Sequence, residues 1–184
     1  MAFCGRIGSQ RRIERVCSLR IAALAGLCVA IGLLQLLGCS EIPRASKQHN
    51  DLGAMRKVAI TITGRTSYTA YVADVDATRL LGLMNVTEAD LPADHGMIFV
   101  FGEDEPLSFW MRNTIIPLDI AYIRSDGTIV KTYTMQPLDE SGYPSIQPAR
   151  FALEVRGGQF NQWGIRAGDH VEIPADLLRA GAGD

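Results

Sequence analysis

From Arg56 onward the apolar positions alternate or run together in short blocks, a pattern that predicts strands. Residues 57–62 are rich in β-branched side chains and lead through Gly64 to a second strand-like run at 68–73. The period then changes. Val75, Leu80, Leu81 and Met84 fit a short helix, with Asp74 or Asp76 as its N-cap and Gly82 near its end. Residues 96–101 are apolar on both faces and predict a fully buried central strand. The acidic residues 102–106 read as a turn, residues 107–111 as a strand, and the chain then loops to Pro117. Residues 118–123 and 128–135 flank Arg124-Ser125-Asp126-Gly127, the strongest hairpin signal in the sequence. Residues 136–148 form a long loop containing Pro137, Pro144 and Pro148, of the kind that often carries function. Alternation resumes at 151–155, residues 159–163 suit a helical turn, and 170–173 make a last strand. The sum is a β-rich α+β domain: a curled or barrel-like, mainly antiparallel sheet with one or two short helices.

The first 55 residues follow a different pattern. Arg11, Arg12, Arg15 and Arg20 precede an apolar run at 21–37, interrupted by Gln35. As a helix that run would be about 25 Å long, slightly short of the roughly 30 Å hydrocarbon core. Its end is more telling than its length. Leu36-Leu37-Gly38-Cys39 resembles the lipobox of bacterial lipoprotein precursors, in which the cysteine is acylated and becomes the mature N-terminus. The expected organisation is a signal peptide over 1–38, then a lipidated Cys39 with a flexible tether over 39–55. A globular domain over 56–178 and a disordered tail over 179–184 complete it. An uncleaved inner-membrane anchor is the alternative, and either reading exports the domain to the periplasm. Ser40, rather than aspartate, leans the expectation towards the outer membrane by resemblance to proteobacterial lipoproteins.

Charge and cysteine content narrow the functions. The first 38 residues hold five arginines against one acid, whereas the rest holds 13 basic against 19 acidic side chains. An acidic exported part argues against a nucleic-acid partner. Cys4, Cys17, Cys28 and Cys39 all precede the domain, so it has no disulfide framework and no thiolate metal site. No zinc-type histidine spacing, serine elbow or phosphate-binding glycine loop occurs, and no cofactor is expected.

Gly82-Leu83-Met84, the run from Leu91 to Phe101, and Phe109-Trp110-Met111-Arg112-Asn113-Thr114 with Ile116-Pro117-Leu118-Asp119 are familiar motifs. With Gly127, Met135-Gln136-Pro137, Tyr143-Pro144, Ala149 and Leu153-Glu154-Val155, they resemble the domain of unknown function 192 family over roughly residues 58–173. Asn85 stands where that family usually has a basic residue, and His95 where an acidic or small one is commoner. The resemblance implies a β-rich fold and no established activity.

Polar residues concentrate at Arg112, Asn113, Thr114 and Asp119, between two apolar strands. Alternation places Asp119 on one face with Ala121 and Ile123, so its carboxylate is expected to be partly buried and held by Arg112, Asn113, Thr114 or backbone N–H groups. Glu154 shares a face with Arg150 and Arg156, which reads as a surface charge ladder. If Asp119 and Glu154 met in one cleft they would make an acid/base pair for a glycan. Trp110, Trp163, Tyr133 and Tyr143 are candidates for an aromatic platform, while His95 and His170 read as loop or surface histidines. The leading expectation is a non-catalytic cell-envelope binding module contacting its ligand or protein through Trp110, Arg112, Asn113, Thr114, Asp119 and Tyr143. An envelope hydrolase using the two carboxylates and a purely structural envelope protein are the competing readings.

Overall fold

A computed structural model describes residues 48–179. The expected signal peptide, Cys39 and the expected tether up to residue 47 lie outside the described residues, as do residues 180–184 of the expected tail. Among the described residues no helix is long and apolar enough to cross a membrane.

The elements run β1 (Lys57–Ile62), β2 (Thr66–Ala73), α1 (Asp76–Leu81), β3 (His95–Glu105), β4 (Ser108–Phe109) and β5 (Leu118–Ile123). They continue with β6 (Ile129–Met135), β7 (Tyr143–Pro144), β8 (Ala149–Arg156), α2 (Gln159–Trp163), β9 (Val171–Glu172) and α3 (Ala175–Arg179). Seven strands make one sheet in the order β6-β5-β8-β3-β2-β1-β9, and β4 pairs with β7 apart from it. Pairing is antiparallel except between β2 and β3, where the connection through α1 returns the chain in the same direction.

The sheet curls into a half-barrel, and its outer strands are tied at one end. Ile129 N–H donates to Asp169 O at 2.9 Å, and Val171 N–H to Gly127 O at 2.8 Å. Gly127 is required here: its φ is +86°, and a Cβ would fall 2.5 Å from the Val171 carbonyl oxygen. Tying the edge strands in this way protects backbone groups that an open sheet would leave unpaired.

Period-two alternation divides the strands between two cores. Ile60, Ile62, Val72, Ile98, Phe151, Leu153 and Val155 fill the inner, concave side with Phe160. Tyr71, Met97, Phe99, Leu118, Ile120, Tyr122 and Ala152 face outward and are covered by Leu83, Val86, Leu91, Leu107, Met111 and Ile116 from the connecting segments. Burial on both sides is why β3, β5 and β8 are apolar at nearly every position, each large side chain contributing about 1.5–3 kcal/mol.

Several local expectations change. The N-cap of α1 is Val75, with no side-chain capping bond. Asp74 and Asp76 are instead engaged by Arg56 and Arg79. The acidic residues 102–105 continue β3 rather than turning, because Asp104 accepts hydrogen bonds from Ser125 N–H at 2.9 Å and its hydroxyl at 2.7 Å. The break comes at Pro106, which has no N–H to give. A third helix, α3, follows the last strand. The packed domain also begins before Arg56: Asn50 is buried, its amide donating to Thr78 O and Gly82 O, and Leu52 and Met55 pack on the outer core.

Candidate functional site

The two loops singled out from sequence form one lobe on the outer face of the sheet. Backbone bonds lace residues 107–117 to residues 136–148: Met111 N–H to Asp139 O at 2.7 Å, Leu138 N–H to Thr114 O at 3.0 Å, and Ser145 N–H to Leu107 O at 2.8 Å. Tyrosines pin the lobe to the sheet. The Tyr122 hydroxyl donates to Tyr143 O, and the Tyr133 hydroxyl to Pro144 O at 2.8 Å. Tyr143 donates to Asp139 Oδ2 at 2.6 Å, and hydrogen bonds from Ser141 and Tyr143 hold the Asp139 carboxyl below its usual range.

The lobe brings Trp110, Arg112, Asn113, Thr114 and Tyr143 together. Trp110 is half-buried, its indole N–H has no partner, and the Arg112 guanidinium lies over its ring at 5.5 Å. Tyr133 and Tyr143 meet edge to face at 5.5 Å, with Lys131 over Tyr133 at 4.7 Å. Asn113 turns through a left-handed φ of 56°. Thr114 is fully buried and so presents no side chain to a ligand. Three lobe residues escaped sequence reading: Ile115, Leu138 and Ile146 are 41%, 60% and 72% exposed, and Leu138 and Ile146 sit at φ 61° and 64°. Single apolar residues in polar loops carry no periodic signal, so nothing in the pattern marked them.

Asp119 is not part of the lobe surface. It is completely buried on the inner face, deeper than expected, and its partners are not Arg112, Asn113 or Thr114. Thr134 Oγ1 donates to Oδ1 at 2.6 Å, and Phe160 N–H donates to Oδ2 at 2.7 Å. The carboxylate thus binds the first turn of α2 across the barrel mouth, a backbone-capping role exercised at long range instead of within its own loop. Burial, with the Asp119 charge second, pushes the Tyr68 hydroxyl up to about 12.

Glu154 corrects the expectation most sharply. It is not on a surface ladder: its exposure is 0%, and neither carboxyl oxygen has a hydrogen-bond partner. Phe151, Leu153 and Val155 point inward while Ala152 points outward, so period two aims Glu154 at the outer core. Burial pushes its carboxyl up to about 8, and it keeps its proton at neutral pH. Arg150 and Arg156 turn to backbone carbonyls, Arg150 to Phe101 O and Arg156 to Leu91 O. Asp119 and Glu154 therefore face opposite sides of the sheet. The acid/base pair does not form.

Other candidates lie apart. Trp163 is exposed on α2 and lines a shallow cleft with Thr66, Asp94 and Gln162, so the four-member aromatic platform is reduced to Trp110, Tyr133 and Tyr143. His95 bonds Asp94 at 2.8 Å and packs against Tyr71, while His170 bridges to Thr128 at the sheet edge. A polar cleft of about 440 Å³ is lined by His49, Asp51, Tyr71, Asn85 and Asp90 among others.

Residues 58–173 match DUF192, described as an uncharacterized ACR. A solved protein of unknown function from Novosphingobium aromaticivorans DSM 12444 is 34% identical with a TM-score of 0.63, covering 70% of this chain and 94% of that one. A second, from Sinorhizobium meliloti 1021 and described as a candidate transcription regulator, is 34% identical with a TM-score of 0.61, covering 64% of this chain and 94% of that one. No curated protein matches.

Proposed function

The chain belongs to the DUF192 family, and from that premise we propose that it is an exported, lipid-anchored domain that binds a cell-envelope ligand or protein without transforming it. The observation that carries the binding reading is the lobe. Ile115 and Leu138 stand in solvent on segments joined by the Leu138 N–H to Thr114 O bond, in the same lobe as Arg112 and Trp110. Water-exposed large aliphatic side chains, one of them on left-handed backbone, are an arrangement that stability alone does not favour. Locking both loops by backbone bonds lowers the ordering cost that a partner would meet on binding.

The location rests on the sequence, where a basic flank, an apolar run and Cys39 fall in lipoprotein order. The separation of Asp119 from Glu154 supports holding over hydrolysis. The acidic balance after residue 38 weighs against carrying over a DNA-linked role from the Sinorhizobium protein.

A photo-crosslinking residue placed at Ile115, with a control at Trp163, tests the lobe in cells expressing the full chain. A discrete adduct from position 115 alone is expected. Equal patterns from both positions, or no adduct from either, would remove the reading. Intact mass of the membrane-extracted chain, compared with Cys39→Ala, tests the anchor. Loss of residues 1–38 with cysteine-dependent acyl mass is expected, and full-length unacylated chain would contradict it.

A further inference from the structure

Glu154 lies in the middle of a sheet face that is otherwise apolar. In register it pairs with Met97 on β3 and Ile120 on β5, and Phe99, Leu118, Tyr122 and Ala152 continue the same outer core. The Tyr122 hydroxyl, on the same face, is committed to Tyr143 O. The arginines flanking Glu154 on its own strand face are engaged elsewhere, Arg150 Nε with Phe101 O at 3.1 Å and Arg156 Nε with Leu91 O at 2.6 Å. A buried polar group without a partner costs about 1–3 kcal/mol, and a strand with only a packing task would hold leucine or methionine there. A group left so in a folded chain calls for an explanation, and a functional role is one of the few that apply.

Part of the covering is of a kind that opens. The short β4–β7 pair lays Phe109 on this face, but Leu52, Leu83, Val86, Leu91, Met111 and Ile116 come from connecting segments. The segment carrying Val86 meets the one carrying Met111 where Asn85 N–H donates to Asn113 O at 2.8 Å, and both asparagines have left-handed backbone. Parting connecting segments breaks few backbone bonds, whereas parting strands breaks a ladder.

The chemistry of the face selects the ligand. An anion would meet a single donor, the protonated carboxyl, with the flanking arginines engaged at backbone carbonyls. A metal ion needs several ligands, and no group of three His, Cys, Asp or Glu side chains is placed to hold one among the described residues. An ammonium group brings three donors to an acceptor that has none, in a charge-assisted bond roughly twice as strong as a neutral one. The apolar walls formed by Met97, Phe99, Leu118 and Ile120 ask for a hydrocarbon body behind that nitrogen. We infer that the outer face holds a second binding site, centred on Glu154, for a small primary amine carried on an apolar chain. Met111 and Ile116 of the lobe help to cover this face, and the site stands whether or not the lobe binds a partner. Binding moves one proton: the amine enters as ammonium, the Glu154 carboxyl releases its proton to solvent, and the resulting ion pair is neutral overall.

Calorimetric titration of the full chain in detergent with n-butylamine and with 1-butanol, at pH 7 in two buffers of different ionisation heat, tests this. The amine is expected to bind with release of about one proton, since a carboxyl with a pKa of about 8 is mostly protonated there. Butanol, and butylamine with Glu154→Gln, should each bind at least about tenfold more weakly, the variant with no proton released. Absence of amine binding, equal affinity for amine and alcohol, or unchanged affinity in the variant would overturn the site. If Glu154→Gln does not fold, carboxyl NMR of the wild-type chain decides. Butylamine must move the Glu154 titration to lower pH, and an unmoved titration overturns the inference.

Discussion

Asp119 and Glu154 stand on neighbouring strands, Asp119 opposite Val155 and Glu154 opposite Ile120, and both have 0% exposure. One step of register separates them and turns their side chains to opposite faces. On the inner face Asp119 is held by Thr134 and by the backbone of Phe160, so it joins β5 to β6 and to the helix at the barrel mouth. On the outer face Glu154 has no hydrogen-bond partner and holds its proton instead. Burial alone therefore says little about what a carboxyl does. Its partners decide whether it stabilises the fold or remains available for something else.

Removing the inner carboxylate should have the larger effect. Asp119→Ala loses two hydrogen bonds to a charged group, at about 1.5–3 kcal/mol each, so chemical denaturation should report a loss of about 3–6 kcal/mol. A loss under about 1 kcal/mol would mean that the inner carboxylate is no more integrated than the outer one. Glu154→Met should act in the opposite direction, stabilising the chain by about 1–3 kcal/mol at pH 7, because an unpaired polar group is replaced by an apolar one of similar length. Destabilisation comparable to that of Asp119→Ala would erase the contrast. The smallest change sharpens it: Thr134→Val, at an exposed position, removes one of the two partners of Asp119 and should cost about 1.5 kcal/mol, read from the denaturation midpoint at unchanged slope.

The frame of the fold was legible where local pattern and tertiary context agree. Residues 96–101 are apolar on both faces because the sheet is covered on both, and Asp126-Gly127 marked the β5–β6 turn because few sequences suit it. The site was legible only in part. Trp110, Arg112, Asn113 and Tyr143 do gather in one lobe, but Asp119 takes partners 15 and 41 residues along the chain, and such distant pairings leave no local trace. The burial of Glu154 is not legible because Arg150 and Arg156 at even spacing look like a solvated ladder. Their long side chains instead reach past the strand to carbonyls of other segments, which spacing does not reveal. The acidic end of β3 resembles a turn in sequence for a similar reason, since the Ser125 groups that hold Asp104 come from the β5–β6 hairpin.

The contrast has one thermodynamic signature that belongs to Glu154 alone. Unfolded, its carboxyl titrates near 4.5, and folded it holds its proton up to about 8. Between those values the folded chain binds one more proton than the unfolded chain, so this group's contribution falls as pH rises, by about 1.4 kcal/mol per pH unit. Asp90, Asp94, Asp126 and Asp139, whose carboxyls are held below their usual range, act below this window and with the opposite sign. The decisive measurement is the unfolding free energy of the wild type and of Glu154→Gln across pH 5.5 to 7.5. The account predicts that the wild type loses stability relative to the variant at about 1.4 kcal/mol per pH unit. Parallel profiles would contradict it, showing that Glu154 is ionised or partnered in the folded chain and that the two faces of the sheet do not differ as described.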